Sequence, residues 1–274
     1  MTDRPVGALV LVGTPIGNLG DLSPRAVDAL RTADVIAAED TRRTRALLSH
    51  AGIRAGRRLR AVHARNEAAA AVRIVDEIRG GDRVAVVTDA GMPGVSDPGA
   101  RLIAAALDAG APVTVLPGPS AVETALVASG LVSERYQFVG YLPRGERALA
   151  TFWDDVSRWT WPVVAFESPQ RLPRTLRSLA AALPERRAAV CRELTKTFEE
   201  VVRGTAEELA ARFAEPPKGE IVLVLGASEA VVDRAAGVDA VVELVGAGVP
   251  RRQAAAVVAR LTGASRNALF EASL

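Results

Sequence analysis

Acidic side chains follow two apolar runs of this sequence, at the points where buried strands are predicted to end. Asp89 comes soon after the run from Val84 to Val87, and Glu39 and Asp40 follow the run from Val35 to Ala38. Loops outside the carboxyl ends of strands in an α/β sheet usually hold a ligand. A carboxylate there can contact a ligand, accept a proton as a general base, or cap a helix.

The residues around Asp89 have the composition of a shaped ligand loop. Residues 84–99 read VAVVTDAGMPGVSDPG, in which three glycines permit close backbone approach or positive φ and two prolines fix φ. Asp97 or Ser96 is predicted to cap the helix that Pro98 opens. The stretch therefore indicates a strand, a ligand loop and a helix start, and an ordinary turn between strand and helix is the alternative.

The composition predicts a soluble, cytoplasmic protein of two domains. The chain has 274 residues, and no apolar run approaches the roughly 20 residues that span a bilayer. Its single cysteine, Cys191, cannot form an internal disulfide, and His50 and His63 are the only imidazoles. We therefore expect no His/Cys metal cluster and no zinc chemistry.

Positive charge is concentrated in one part of the chain, although the net charge is only +2. Residues 41–65 contain eight arginines, both histidines and no acidic residue. Arginine binds phosphate through a two-pronged fork, so this run suits a nucleic-acid backbone. A solvated basic surface is the alternative interpretation.

Strand and helix patterns alternate over the first 117 residues and predict a mostly parallel sheet covered on both faces. The turn GTPIGN, residues 13–18, follows the first strand and matches neither a dinucleotide-binding nor a Walker A pattern. The second half predicts a mixed sheet, with Ser120 capping its first helix. We therefore predict two α/β domains, residues 1–117 and 118–228.

The end of the chain reads as a small helical unit. Residues 226–236 resemble a linker, and residues 237–274 read as three helices separated by two turns. This tail is too small for a robust core of its own, but it has helix-turn-helix spacing and carries four arginines, Arg251, Arg252, Arg260 and Arg266. Nucleic-acid contact and a dimer-stabilising bundle are both compatible with the pattern.

Nine motifs occur in one order along almost the whole chain: GTPIGNLGD, AEDTRRT, Asn66-Glu67, TDAGMPGVSDPG, LPGPSA, GYLPR, ESPQR, RELTK and KGEIV. In this order they closely resemble the tetrapyrrole methylase superfamily, and within it the small-subunit ribosomal RNA (cytidine-2'-O)-methyltransferases. The resemblance implies S-adenosylmethionine bound in a cleft between two α/β domains, usually in a homodimer. It also implies 2'-O-methylation of a cytidine ribose in small-subunit (16S) ribosomal RNA, within an assembled 30S particle.

The resemblance also implies roles for individual residues, by motif position. The cofactor site is expected to be formed by Pro15, Asp89, Ala90, Gly91, Met92, Pro117, Ser120 and Ala121 from the first set of loops, and by Phe166, Leu194, Thr195 and Ile221 from the second domain. The arginines expected to grip RNA phosphates are Arg42, Arg43, Arg45, Arg144 and Arg171.

Methyl transfer to a ribose hydroxyl is an in-line displacement, so positioning is expected to supply most of the catalysis. A 2'-hydroxyl is a poor nucleophile until its proton can leave, and Asp40 and Glu167 are the candidate general bases. Lys196 is the candidate group to stabilise the developing alkoxide. For these residues a helix cap or an ion pair is the alternative role.

Two other functions fit the same motifs. Methylation of a tetrapyrrole is one, because the fold and cofactor loops would look alike and acidic macrocycles also attract arginine. A module that binds S-adenosylmethionine or RNA without turnover is the other. The arginine run and the helical tail favour the RNA methyltransferase.

Overall fold

The computed structural model describes residues 7–95, 97–228, 234–262 and 264–274 of the chain. Two five-stranded sheets, each with helices on both faces, form its main body, and three further helices form the tail. This arrangement confirms the α/β fold class predicted from the sequence.

The first sheet is parallel throughout. Its strands are β1 (Ala8–Val12), β2 (Val35–Ala38), β3 (Leu59–Ala61), β4 (Arg83–Val87) and β5 (Val113–Leu116), and their spatial order is β3-β2-β4-β1-β5. The helices between them are α1 (Pro24–Thr32), α2 (Thr41–His50), α3 (Glu67–Arg79) and α4 (Ala100–Asp108). Both faces of a parallel sheet are covered, which explains why its strands are nearly continuous apolar runs.

Alternate residues of the central strand β1 enter two different cores. Leu9 and Leu11 pack in a cluster with residues of α3 and α4, whereas Val10 and Val12 pack in a cluster with residues of α1 and α2. Successive side chains of a strand point to opposite faces, so one short apolar run supports both layers. Because the strands of this sheet are all parallel, their carboxyl ends lie at the same edge of the sheet. The loops of the site emerge from this edge.

The second sheet is mixed, as predicted. Its elements in chain order are α5 (Ala121–Ser129), β6 (Gln137–Tyr141), α6 (Glu146–Ser157), β7 (Val163–Glu167), α7 (Leu172–Ala182), β8 (Arg187–Arg192), β9 (Glu200–Thr205), α8 (Ala206–Arg212) and β10 (Ile221–Leu225). The strand order is β6-β7-β10-β8-β9, and only β6 and β7 are parallel. Helix α5 packs on one face, and α6, α7 and α8 cover the other.

The tail consists of α9 (Arg234–Gly246), α10 (Arg251–Thr262) and α11 (Arg266–Ala272). Val241, Ala254, Val258 and Leu269 are buried in its small core. The predicted linker is wrong at its end, because helix α9 begins at residue 234, and residues 229–233 lie outside the described part of the chain. The domain boundaries proposed from the sequence stay a prediction.

Helix α4 has a cap that the sequence did not suggest. The predicted cap at Asp97 is wrong, since Gly99 occupies the cap position with φ of 135° and no local side chain bonds the helix start, while Ser96 lies outside the described residues. Instead Glu67 of α3, itself buried, accepts hydrogen bonds from the backbone N–H groups of Gly99 (2.9 Å), Arg101 (2.9 Å) and Leu102 (3.3 Å). A carboxylate at a helix N-terminus is also favoured by the helix dipole.

We predict that Glu67→Ala lowers the free energy of unfolding by about 2–4 kcal/mol, because it leaves buried N–H donors without an acceptor. Glu67→Gln retains one acceptor oxygen and is expected to lose less. Urea denaturation measures both values. Asp76→Ala on the same helix removes only an exposed ion pair with Arg79 and serves as the control, expected to stay within about 0.5 kcal/mol. Equal losses for Glu67→Ala and Asp76→Ala would contradict the capping role.

Candidate functional site

Three loops meet at the carboxyl edge of the first sheet. Thr14 and Gly91 exchange two backbone hydrogen bonds, of 2.9 and 3.1 Å, which tie the loop after β1 to the loop after β4. Gly13 and Gly118 lie so close that a Cβ built on Gly13 would approach the Gly118 backbone to 2.6 Å. Only glycine fits both positions, so the loop after β5 is also locked to the others.

The RELTK loop of the second domain packs directly on the loop after β1. A Cβ at Gly17 would lie 2.5 Å from Cγ of Lys196 and 2.9 Å from the carbonyl oxygen of Leu194. The backbone N–H of Asn18 donates to Oγ1 of Thr195 at 3.1 Å. These contacts form a junction between the two domains that leaves no room for a side chain at position 17.

The backbone of the RELTK loop is itself unusual. Glu193 and Thr195 have φ of 51° and 65°, in the left-handed region that favours glycine. Surrounding bonds hold this conformation: the N–H of Thr195 donates to Glu199 at 2.6 Å, and the carboxylate of Glu193 accepts from the N–H of Glu220 at 2.9 Å. Strained backbone that is fixed by its surroundings is frequent at ligand sites.

A cavity of about 340 Å³ opens where these loops meet. Its walls come from the loop after β1, the start of α2, the end of β4 and the RELTK loop, and they include Pro15, Ile16, Arg43, Thr88, Asp89, Ala90, Lys196 and Glu220. The lining mixes apolar surface with both signs of charge. This combination suits a small molecule that has apolar parts and charged ends.

Several of the residues expected at the cofactor site come together here. Pro15, Asp89 and Ala90 line the cavity, Gly91 bonds to Thr14, and the sulfur of Met92 lies against Gly13. Phe166 and Ala121 pack with Ala90 and Leu194 in the apolar cluster that α5 forms on the second sheet. Pro117 and Ser120 lie in the LPGPSA loop, and Thr195 lies in the RELTK loop.

Ile221 is an exception. Its side chain is buried with Leu223 and Leu225 in the core beneath α6, α7 and α8, on the sheet face opposite to Phe166. The expectation that its side chain faces the cofactor is therefore wrong, because alternate residues of β10 point to opposite faces.

The hydroxyl of Ser120 is engaged within the protein. It donates to the carboxylate of Glu123, which also accepts from the hydroxyl of Tyr136 at 2.5 Å. Ser120 occupies the N-cap position of α5 as predicted, but its side chain accepts no hydrogen bond from the backbone of the helix start, so the predicted side-chain cap is wrong.

Asp40 caps helix α2. Its carboxylate accepts from the N–H of Arg42 at 2.7 Å and from the Arg42 guanidinium at 3.3 Å. These hydrogen bonds, the backbone one first, hold the pKa of Asp40 below its usual value. The N–H of Asp40 donates to Asp89 at 3.1 Å, so the cap lies next to the cavity wall.

Glu167 does not have the geometry of a base. Its side chain has no exposed area, and its carboxylate accepts from the N–H of Ser168 at 2.7 Å and the hydroxyl of Thr175 at 2.6 Å. Arg171 lies 3.3 Å away. Glu167 pairs with Ile221 on the face turned away from α5. The hypothesis that Glu167 is a general base is therefore wrong, and this carboxylate supports the start of α7.

Lys196 lines the cavity as an ion-paired group. Its Nζ lies 2.9 Å from both Glu193 and Glu220. Burial alone would lower the pKa of Lys196, but the hydrogen bonds to these carboxylates outweigh burial and raise it. The ammonium therefore stays charged at neutral pH.

Glu39, Asp89 and Asp97 form an acidic cluster at the cavity, and the sequence did not predict that these three residues come together. Glu39 and Asp89 meet because β2 and β4 are neighbours, and Glu39 accepts from the N–H of Asp89 at 3.4 Å. Burial, followed by repulsion from Glu39 and Asp89, raises the pKa of Asp97 to about 6. Strand adjacency was the missing signal, since the order of strands cannot be read from one sequence.

The arginine run divides into two groups. Arg42, Arg43 and Arg45 are exposed on α2, and Arg43 also lies 3.5 Å from Asp89 on the cavity wall. Arg58, in contrast, donates to the carbonyl groups of Leu30, Arg31 and Ala33 at the end of α1. The run is therefore partly a basic surface and partly a structural cap.

The fold and the cleft define a two-domain α/β protein whose ligand loops lie at the carboxyl edge of a parallel sheet. The family model described as Tetrapyrrole (Corrin/Porphyrin) Methylases matches residues 8–210, and the chain belongs to this family. A second model, described as the RsmI C-terminal HTH domain, matches residues 232–274.

Two curated relatives match over nearly their whole length. Proteins named Ribosomal RNA small subunit methyltransferase I, from Mesorhizobium japonicum and Mycobacterium bovis, are each 44% identical to this chain. The matches cover 96% of this chain and 90% of the first relative, and 98% and 95% for the second. The solved uroporphyrin-III C-methyltransferase from Thermus thermophilus, complexed with S-adenosyl homocysteine, is 19% identical over 80% of this chain and 97% of its own, with a TM-score of 0.57, and shares the fold.

Within the described ranges, every helix falls short of the length and apolar character that a bilayer crossing requires. Nor do the described His, Cys, Asp and Glu side chains form a group suited to hold a metal ion.

We predict that Gly17→Ala lowers stability, because the new methyl group overlaps the RELTK loop. Overpacking of this kind typically costs about 1–3 kcal/mol, and each kcal/mol lowers Tm by roughly 2–4 °C. Calorimetry measures the change. Gly145→Ala is the control, since a Cβ there meets no atom within 4 Å. The tight junction is disproved if both variants melt at the same temperature.

We also predict that Asp97→Asn stabilises the protein near neutral pH. The folded protein disfavours the ionised carboxylate and raises its pKa from the usual 3.8 to about 6. The folded protein therefore loses stability as the pH rises from about 3.8 through about 6. The neutral amide avoids this loss, and we expect a gain of about 1 kcal/mol once solvent screening is allowed for. Thermal unfolding from pH 4 to pH 8 should show the gain growing with pH. A gain that does not change with pH would contradict a raised pKa at Asp97.

Proposed function

We propose that this protein transfers a methyl group from S-adenosylmethionine to the 2'-hydroxyl of a cytidine ribose in small-subunit (16S) ribosomal RNA. The observation that carries the proposal is the 44% identity, across almost the entire chain, to proteins named Ribosomal RNA small subunit methyltransferase I. We further propose that the substrate is the assembled 30S particle in the cytoplasm, and that the enzyme acts as a homodimer.

The cavity between the domains fits the proposed cofactor. Its volume of about 340 Å³ is at the lower end of the range for small-molecule sites. The glycine contacts leave the backbone of the loops after β1 and β4 free to approach the ligand, with Asp89 at a polar end and Pro15 and Ala90 against apolar parts. Lys196 and Glu220 line the second-domain side of the cavity, and Phe166 and Leu194 pack with Ala90 in the apolar cluster beside it. When bound, S-adenosylmethionine supplies a methyl group already activated on a sulfonium.

The chain would then contribute mainly orientation. Exposed Arg42, Arg43 and Arg45 on one side of the cavity would hold phosphates and bring the ribose to the cleft. Asp40 is the remaining candidate to accept the proton of the 2'-hydroxyl at its carboxylate oxygens. Lys196, kept charged by Glu193 and Glu220, would stabilise negative charge on the ribose oxygen.

The assay uses purified protein, labelled S-adenosylmethionine and small-subunit particles from cells that lack the activity. The expected product is 16S RNA that carries the label. After nuclease digestion, the label is expected in a cytidine that resists alkaline cleavage. Precorrin extract forms the parallel arm. Label in a tetrapyrrole instead of RNA would identify the other branch of the family, and no labelled product in either arm would favour a binding module.

We predict that Asp40→Asn lowers the single-turnover rate by about 100-fold or more, because general-base catalysis is typically worth that much. Asparagine is an equally good helix cap, so the fold of α2 is retained and only the base is lost. Because the pKa of Asp40 is lowered, the wild-type rate should not fall with acid until the pH is below the ordinary carboxylate range. Asp28→Asn, at an exposed ion pair, is the control. A full rate for Asp40→Asn would leave positioning as the only contribution.

A further inference from the structure

A second cavity lies at the end of β6 and β7, away from the junction of the domains. It has a volume of about 290 Å³, and eight residues line it, none of them acidic. Three of the eight are arginines, Arg144, Arg171 and Arg174. A concave, positively charged surface of this size suits one anionic group with an attached flat or apolar moiety.

One wall of this cavity is an exposed aromatic ring. Tyr141 has 66% of its surface exposed, in a chain with only two tyrosines. Its ring contacts Phe166 edge to face at 5.6 Å, and Phe166 in turn contacts Phe138 at 5.0 Å. The ring is therefore held in place from behind while remaining open to solvent. Exposed aromatic rings of this kind stack with unpaired nucleobases.

The three arginines are not equivalent. Arg171 donates to the carbonyl oxygens of Leu142 and Pro143, at 2.9 and 2.6 Å, so it fixes the GYLPR turn, and Glu167 compensates its charge. Arg174 lies 3.1 Å from Glu146, but both side chains are largely exposed and such pairs are weak.

Arg144 is exposed, and among the described residues no carboxylate forms an ion pair with it. Arg144 and Arg174 are therefore the two guanidinium groups that a phosphate can recruit at little cost.

An aromatic ring connects Tyr141 with the apolar cluster between α5 and the second sheet. Phe166 contacts Tyr141 on one side and belongs on the other to the cluster that includes Ala90, Ala121 and Leu194. A nucleotide held at Tyr141 would thus be near the nucleotide whose ribose enters the cleft.

We propose that this cavity is a substrate subsite that binds one unpaired nucleotide of single-stranded RNA, with its base stacked on Tyr141 and its phosphates on Arg144 and Arg174. The inference rests on the proposed function, because it takes RNA as the substrate. The subsite holds the strand beside the target and requires the bound base to be unstacked from its neighbours. Arg171 does not contact the phosphates in this proposal. It holds the turn that carries Arg144 in place.

The test measures direct binding of a fluorescein-labelled oligocytidine RNA of about 12 nucleotides to the full-length protein, by anisotropy at several salt concentrations. Tyr141→Ala is expected to raise Kd about tenfold, which is ~1.4 kcal/mol, while Tyr141→Phe keeps the ring and the affinity. The double variant Arg144→Ala/Arg174→Ala should reduce the slope of log K against log salt by about 1.4, since each lost phosphate contact with a single strand removes about 0.7.

Matched controls lie at the opposite end of the same two strands. There the Arg135 guanidinium lies 5.4 Å from the ring centre of Trp161, which is 38% exposed. Trp161→Ala and Arg135→Ala remove an exposed ring and an exposed charge without touching the cavity, so both should bind RNA as the wild type does.

Methyl transfer to small-subunit particles is measured alongside, and Tyr141→Ala is expected to raise KM more than it lowers kcat. If the wild-type protein transfers no methyl group to the particles, the proposed function fails, and oligocytidine binding still decides the subsite. The subsite is overturned if the wild type does not bind the RNA, if Tyr141→Ala binds as the Trp161→Ala control does, or if Tyr141→Phe loses as much affinity as Tyr141→Ala.

Discussion

The site depends on glycines that are packed against neighbouring loops too closely for any side chain to fit. Gly13 faces Gly118 where two loops of the first sheet meet, and Gly17 faces the RELTK loop of the second domain. A methyl group at any of these positions would overlap atoms across the contact. The cavity, the pairing of Thr14 with Gly91 and the left-handed turn at Thr195 lie next to these close contacts. The two domains meet through atoms with little freedom to move, which suits a site whose main task is to hold two reactants in line.

Carboxylates that are buried or half-buried act mainly on the scaffold. Glu67 caps α4, Glu167 supports the start of α7, and Glu193 holds both Lys196 and the N–H of Glu220. A buried carboxylate is costly unless donors surround it, and each of these has several. An acidic residue at the end of a buried strand therefore looks catalytic in the sequence, although it can equally serve as a cap. The accessible carboxylates of the cleft are the ones left for chemistry.

The basic surface is also divided by structure. Arg58 donates hydrogen bonds to the carbonyl groups at the end of α1, and Arg171 donates to those of the GYLPR turn. In contrast, Arg42, Arg45 and Arg144 remain exposed. The charges available to an anionic strand consequently lie on both domains, beside the cleft and beside Tyr141. Under the proposed function, a strand that contacts both groups would be extended and flexible between them, as an unpaired stretch of RNA is.

The sequence by itself determined the fold class, most element positions and the family. Buried parallel strands appear as uninterrupted apolar runs, so β2 and β4 could be located within a residue. The ordered motifs carried the family resemblance over nearly the whole chain. Which side of a strand a residue faces, and what its polar atoms meet, was decided by tertiary structure alone. Ile221 and Glu167 are paired across neighbouring strands on the face turned away from α5, and Glu67 reaches the start of a helix that begins only at Ala100. Partners so distant in sequence are set by the order and pairing of strands, which local patterns do not encode.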